Sequence, residues 1–166
     1  MRRFSRIFAW TTLFFVAGAV LFFTKAAALP YKVAWPVLLL SLATFLSRRR
    51  ELLPFGFAFL FSAAGDAVGA RGLFIPQMAF FALAHVAYVC WFLPRARRRL
   101  RAVSLAVTVP LLVFLFAAIV PEAPFPAERI GVAVYGLVIA AMLYSALQYD
   151  GACAAGFRRA ALPFVF

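Results

Sequence analysis

One acid and one histidine lie inside apolar stretches of this chain. Asp66 stands in "SAAGDAVGA", and His85, the only histidine of the sequence, stands in "FFALAHVAYVCWF". A carboxyl group in apolar surroundings favours its protonated form, because desolvation disfavours the charge, and such a group can act as a general acid. An imidazole exchanges protons near neutral pH. These two residues are therefore the first candidates for catalysis.

Helical spacing groups further side chains with these two. Ser62 and Asp66 are four residues apart and share a helix face. A second stripe, with intervals of three and four residues, comprises Gln77, Phe81, His85, Tyr88 and Phe92. A later helix carries Tyr144, Ser145 and Gln148. Polar stripes on separate helices predict a shared interior cavity. For Ser62, Gln77 and Ser145 the alternative is hydrogen bonding between helices.

The composition indicates a membrane protein. The chain has 166 residues, of which 67% are hydrophobic, and its mean hydropathy is +1.00. A soluble domain is nearer to about 45–50% apolar, and a chain this short cannot bury so much apolar surface in water. The formal net charge is +12, but the arginines form short runs between apolar stretches. Without a basic face or aromatic platform, we expect no nucleic-acid partner.

The apolar stretches predict an all-α fold, a polytopic transmembrane helical bundle forming a single domain over residues 1–166. A helix needs about 20 apolar residues to cross the hydrocarbon layer. The predicted spans lie near 7–29, 33–47, 52–70, 73–93, 102–120 and 129–149, with a seventh, partial span at 157–166. The first stretch could instead be a cleaved signal peptide, but its length favours a retained helix.

The loop charges predict the orientation of the bundle. If the loops alternate across the membrane, one set carries Lys25, Lys32, Arg71 and Arg129. The other set, which includes the N-terminus, carries the remaining 13 of the 17 Lys and Arg residues. Basic loops stay on the cytoplasmic side. We therefore expect a multi-pass protein of a bacterial inner (cytoplasmic) membrane with a cytoplasmic N-terminus.

The two ionisable side chains are predicted to lie at different depths. Asp66 is five residues from Arg71, about 7 Å along a helix, whereas His85 is twelve residues from Leu73, about 18 Å along the next helix. A direct hydrogen bond between them would need a tilt or a break at Pro76. Two ligands at different depths do not form a coordination set, so no metal site is expected.

Two of these stretches resemble the YhhN family of membrane proteins, whose characterised eukaryotic members are lysoplasmalogenases. The family carries a Gly-Asp pair on one helix and a Phe-rich helix that ends in His-x-x-Tyr. Here these are Gly65-Asp66 and His85-Val86-Ala87-Tyr88, and Tyr135 fits a later helix of the family. The family usually has about eight helices and a second acid in a late Ser-Asp pair. No such pair precedes Phe166, so the sequence looks truncated at its C-terminus.

The resemblance implies hydrolysis of the vinyl ether bond of a lysoplasmalogen to a fatty aldehyde and a glycerophospho-base. This reaction begins with proton transfer to carbon, and water then captures the resulting cation. Asp66 and His85 are the predicted catalytic residues, with Asp66 as the acid. The predicted substrate-binding residues are Ser62, Gln77, Phe81, Tyr88, Tyr135 and Tyr144. The reaction requires no cofactor, and the partners are a membrane lipid and the bilayer.

Two other classes of function fit the same residues. A non-catalytic carrier of lipids or small molecules could use Asp66 and His85 as a proton relay, since ionisable groups within membranes often mark transport paths. A structural protein could use them only to hold helices together. The oligomeric state is left open by the sequence.

Overall fold

The computed structural model describes residues 12–13, 16–17, 19–20, 32–47, 49–97 and 100–149. The longer of these ranges hold five α-helices: α1 (Trp35–Leu46), α2 (Leu53–Gly69), α3 (Phe74–Phe92), α4 (Arg101–Phe114) and α5 (Pro126–Leu147). Within the described ranges there is no strand, only an isolated bridge between Ala96 and Tyr149. The predicted all-α class is confirmed for this part of the chain.

Four helices, taken with their flanking turns, are long and apolar enough to cross a membrane. They are Arg50–Gly69, Phe74–Arg95, Arg101–Glu122 and Pro126–Leu147, and they correspond to the predicted spans from 52–70 to 129–149. At the predicted span 33–47 the structure has a single turn at Lys32–Ala34 and then α1. With 12 residues, α1 is about 18 Å long and shorter than the hydrocarbon layer. The stretch 7–29 is described at only six helical positions, and 157–166 lies outside the described residues.

Prolines and one glycine set where the helices begin and how they turn. Pro36, Pro54 and Pro126 lie in the first turns of α1, α2 and α5. Proline is tolerated there because the first N–H groups of a helix have no acceptor within it. Gly72, between α2 and α3, has a φ of 73°, which glycine adopts without steric cost. The tight turn reverses the chain, so α2 and α3 are antiparallel neighbours.

Close packing of α2 against α3 depends on two glycines. A Cβ atom at Gly65 would lie 2.9 Å from Cε1 of Phe81, and one at Gly69 would collide with the amide of Gln77. Small residues let helices approach where lipid provides no hydrophobic driving force. Gly65 and Gly69 therefore allow α2 and α3 to pack closely.

Helices α2 and α5 both pack against α3, on different sides of it. Gln77 of α3 contacts Gly69 of α2, and the next residue, Met78, contacts Gly131 of α5. Successive residues of a helix point about 100° apart. The two neighbours therefore lie on different sides of α3, at about a right angle around its axis. By their spacing, Phe81 and His85 project into this angle.

Helix α4 packs against α5. The α-helical winding of the chain changes after α4. Pro110 lies inside α4 and has no N–H to donate. The chain then forms a π-helical turn at Leu115–Ile119 and a 3-10 turn at Val120–Glu122. Leu115 contacts Gly136 of α5 so closely that a Cβ atom there would collide with it. Wide π turns of this kind occur often at functional sites.

Candidate functional site

The register between α2 and α3 fixes the relative depth of Asp66 and His85. Gly65 contacts Phe81, and Gly69, four residues later on α2, contacts Gln77, four residues earlier on α3. Each step forward along α2 therefore matches one step back along α3 at the same level. Asp66 is then level with Phe80, and His85 is level with Phe61. The two candidates are offset by five residues, about 7.5 Å along the helix axis. The offset has the predicted direction, with His85 deeper, and is smaller than the difference of about 11 Å expected from the sequence.

Asp66 lies on a stripe of α2 that contacts α3 through aromatic rings. It is half-buried, and the intervals of four, three and four residues place it on one stripe with Phe55, Phe59 and Ser62. The rings of Phe55 and Phe59 meet the ring of Tyr88 on α3, with centroids 5.6 Å and 6.4 Å apart. Tyr88 therefore marks the side of α2 on which this stripe lies.

The imidazole ring of His85 has a defined orientation. Its Nδ1 atom lies 2.6 Å from the carbonyl oxygen of Phe81. A carbonyl oxygen can only accept, so Nδ1 carries the hydrogen, and in the neutral ring Nε2 is the basic nitrogen. The ring of Tyr135 meets the imidazole edge-on at 5.6 Å, and that of Tyr88 does so at 6.3 Å. Contacts from its own helix, α3, and from α5 thus hold the histidine.

An apolar cavity of about 390 Å³ lies between α3, the π turn after α4, and α5. Ten residues line it: Phe74, Gln77, Met78, Phe81, Leu115, Ile119, Val132, Tyr135, Gly136 and Ile139. Its size falls in the range of small-molecule sites, which are mostly apolar with a few polar groups. Here the polar side chains are those of Gln77 and Tyr135. The cavity suits a hydrocarbon chain.

Apart from Tyr144, the predicted site residues divide into two groups. Gln77, Phe81 and Tyr135 line the cavity. The others do not line it: His85 contacts the lining residues Phe81 and Tyr135, Tyr88 contacts His85, and Ser62 and Asp66 lie on α2, whose Gly65 contacts Phe81. The side chains of Leu115 and Ile119 were not predicted as part of the site. The only signal for them was Pro110, which indicates an irregular helix but not its partner.

The structure does not bring Tyr144 to this cluster. It lies nine residues after Tyr135 on α5, about 13.5 Å farther along the axis. Its neighbours Ser145 and Gln148 are buried and donate hydrogen bonds within the same helix, to the carbonyl oxygens of Met142 and Tyr144, at 2.9 Å and 3.2 Å. The predicted polar stripe here is part of the packing of α5, and it lies near the opposite end of the bundle from Gly65.

Comparison with known families gives one match. Residues 27–166 match the model of the YhhN family. The chain belongs to the YhhN family. Comparisons with curated proteins and with solved structures found no match. The matched range of this YhhN protein contains every predicted site residue from Ser62 to Tyr144. Together with four helices able to cross a membrane, it indicates an integral membrane protein.

Proposed function

We propose that this YhhN protein is a membrane-embedded hydrolase that cleaves the vinyl ether bond of a lysoplasmalogen, giving a fatty aldehyde and a glycerophospho-base. One observation carries the proposal: the half-buried carboxyl group of Asp66 lies, by the register of α2 and α3, at a level along the bundle that an apolar cavity of about 390 Å³ also covers. The cavity would hold the hydrocarbon chain, and the carboxyl group would supply the proton.

The chemistry needs one acid and one water molecule. Asp66 donates its proton to the vinyl carbon that is farther from the ether oxygen, and the double bond supplies the electron pair for the new C–H bond. The resulting oxocarbenium ion is stabilised by the carboxylate that remains. Water adds to the carbon next to the oxygen and loses a proton to His85, and exchange of protons with solvent then restores the Asp66 acid and the neutral histidine. The hemiacetal then collapses to the aldehyde and the glycerol hydroxyl group.

His85 is proposed to assist the attack of water. Its Nδ1 hydrogen is directed to Phe81, so Nε2 is the nitrogen that accepts a proton. The axial offset of about 7.5 Å from Asp66 separates the acid from the base along the bundle. Inverting glycosidases, which pass through an analogous cation, also use an acid and a separate base that activates water.

The position of the cavity fits a lipid lying beside these two groups. On α3 the lining extends from Phe74 to Phe81, and on α5 from Val132 to Ile139. By the contacts between these helices, the lining covers the levels of both Asp66 and His85. We propose that Phe81, Tyr135 and Gln77 contact the substrate in the cavity, and that Ser62 and Tyr88 are further substrate contacts.

We place the protein in a bacterial inner membrane, with seven spans and a cytoplasmic N-terminus. The charge distribution supports this orientation. At the end of the bundle where α2 begins and α3 ends, the described residues carry five arginines and one acid: Arg49, Arg50, Arg95, Arg97, Arg101 and Glu51. Basic residues at one end are typical of the cytoplasmic side.

Reconstitution into vesicles tests the proposed function against a carrier. The purified protein is placed in vesicles that contain a lysoplasmalogen, and aldehyde release and lipid redistribution between the leaflets are both measured. We expect aldehyde release that depends on the protein. Redistribution without aldehyde would favour a carrier that uses Asp66 and His85 as a relay and would rule out the hydrolase.

A further inference from the structure

The arginine-rich end of the bundle has an unequal charge balance. Its five described arginines face a single acid, Glu51, whose carboxylate is 3.6 Å from Arg49. At the other end the described residues include Arg71 and Arg129, balanced by Glu122 and Glu128, together with Lys32. The excess positive charge is therefore concentrated at the first end. We call this end, with the aromatic residues described next, the basic end.

An aromatic cluster lies directly inside these arginines. Trp91 forms its centre and contacts Phe55, Phe92 and Tyr149, with ring centroids 4.8 Å, 5.1 Å and 5.0 Å away. Tryptophan and tyrosine concentrate at the level where hydrocarbon meets headgroups. The cluster therefore places the arginines at headgroup level.

Two hydrogen bonds fix the loops around Trp91. The indole N–H of Trp91 donates to the carbonyl oxygen of Glu51 at 3.0 Å, which joins the start of α2 to the end of α3. The backbone N–H of Arg97 donates to the carbonyl oxygen of Gln148 at 2.9 Å, which joins the loop after α3 to the end of α5. The basic end is thus held together before any ligand arrives.

Arg95 is positioned by the same tryptophan. Its guanidinium lies 4.6 Å above the Trp91 ring, and Nη1 donates to the carbonyl oxygen of Trp91 at 2.8 Å. A guanidinium has five N–H donors, so one hydrogen bond leaves most of the group able to bind an anion. The side chains of Arg95 and Arg50 are both exposed. Planar guanidinium groups suit phosphate oxygens, which they can bind in a bidentate manner.

Exposed leucines border these arginines. Leu46, Leu53 and Leu93 lie within three residues of Arg49, Arg50 and Arg95 respectively, and all three are exposed. A ligand at this surface would therefore meet positive charge on one side and apolar side chains on the other. A phospholipid matches both, whereas a soluble phosphate matches only the charge.

We propose that the basic end binds the headgroup phosphate of an anionic phospholipid, with Arg95 and Arg50 as its ligands and Trp91 beside the glycerol region. Basic pockets at helix ends on the cytoplasmic side bind such headgroups in other membrane proteins. This site is separate from the apolar cavity and does not depend on the proposed reaction.

The proposal is tested by lipid-dependent thermal stability. The full chain is placed in nanodiscs of phosphatidylcholine alone or with increasing phosphatidylglycerol, and the unfolding temperature is followed. We expect phosphatidylglycerol to raise it. Arg95→Gln should weaken the apparent affinity for this lipid about fivefold, the ratio that corresponds to losing one basic residue near an anionic surface. Arg50→Gln gives a second, independent variant with the same expectation.

The matched control is Arg129→Gln, which removes the same charge at the opposite end of the bundle and should leave the lipid response unchanged. Because each variant is compared with itself in the two lipids, a change in its basal stability does not obscure the result. Equal responses of the Arg95→Gln and Arg129→Gln proteins would overturn the proposal. So would a response to inorganic phosphate in phosphatidylcholine nanodiscs, which would assign the site to a soluble anion.

Discussion

Gly65 of α2 lies against the ring of Phe81 on α3, and no side chain separates them: a Cβ atom at residue 65 would be 2.9 Å from Cε1 of Phe81. The contact sets the register that places Asp66 level with the next turn of α3. Phe81 also lines the 390 Å³ cavity. The Phe81 ring therefore packs against α2, the helix that carries Asp66, and also forms part of the proposed binding site.

Gly65→Ala is expected to destabilise the protein by about 1–3 kcal/mol, because the added methyl group overpacks the contact with Phe81. Thermal unfolding in detergent measures the change. Ala79→Val adds methyl groups at an exposed position of α3 and should have little effect. The double variant Gly65→Ala with Phe81→Leu should regain stability, since the smaller side chain relieves the overlap. A Gly65→Ala protein as stable as the wild type would contradict the proposed register.

Gly136→Ala is expected to change the preference for chain length. A Cβ atom at residue 136 would collide with Leu115, which lines the cavity together with Gly136. The leucine must move, and the cavity becomes smaller. Aldehyde release should fall more for long-chain than for short-chain lysoplasmalogens. The control is Leu137→Ala on the exposed side of the same helix. An equal loss for all chain lengths would show that the cavity does not hold the chain.

His85→Phe is expected to lower kcat about 100-fold, the lower part of the range for general acid–base groups, with little change in unfolding temperature. Phenylalanine keeps an aromatic ring for the edge contacts with Tyr88 and Tyr135 but has no nitrogen to accept a proton. Val86→Ala, at the exposed next position of α3, is the control and should keep the wild-type kcat. Unchanged kcat in the His85→Phe protein would remove His85 from the mechanism.

Trp91→Phe and Trp35→Phe should differ in stability. The indole N–H of Trp91 donates to Glu51, and its ring lies under Arg95. Losing both contacts should cost about 1–2 kcal/mol. The Nε1 atom of Trp35 is buried and has no hydrogen-bond partner in the described structure, so removing this N–H abolishes no hydrogen bond. Similar losses of unfolding temperature for the two variants would contradict this difference.

The sequence predicted what depends on local composition. Apolar length alone located the helices from α2 to α5. It could not predict which helices become neighbours, since that depends on contacts distant in sequence. For this reason Leu115 was missed as a cavity residue, and Tyr144 was grouped with residues about two and a half turns away.

The most direct test of the account is the activity of the Asp66→Asn protein on a lysoplasmalogen in detergent, measured as aldehyde release. Asparagine keeps the size of the side chain but cannot donate the carboxyl proton. Glu51→Gln, at an exposed position of the basic end, is the matched control for loss of an acid and should keep the wild-type rate. The account predicts a loss of at least about 100-fold for Asp66→Asn, with an unchanged unfolding temperature. A folded Asp66→Asn protein that releases aldehyde at the wild-type rate would contradict it.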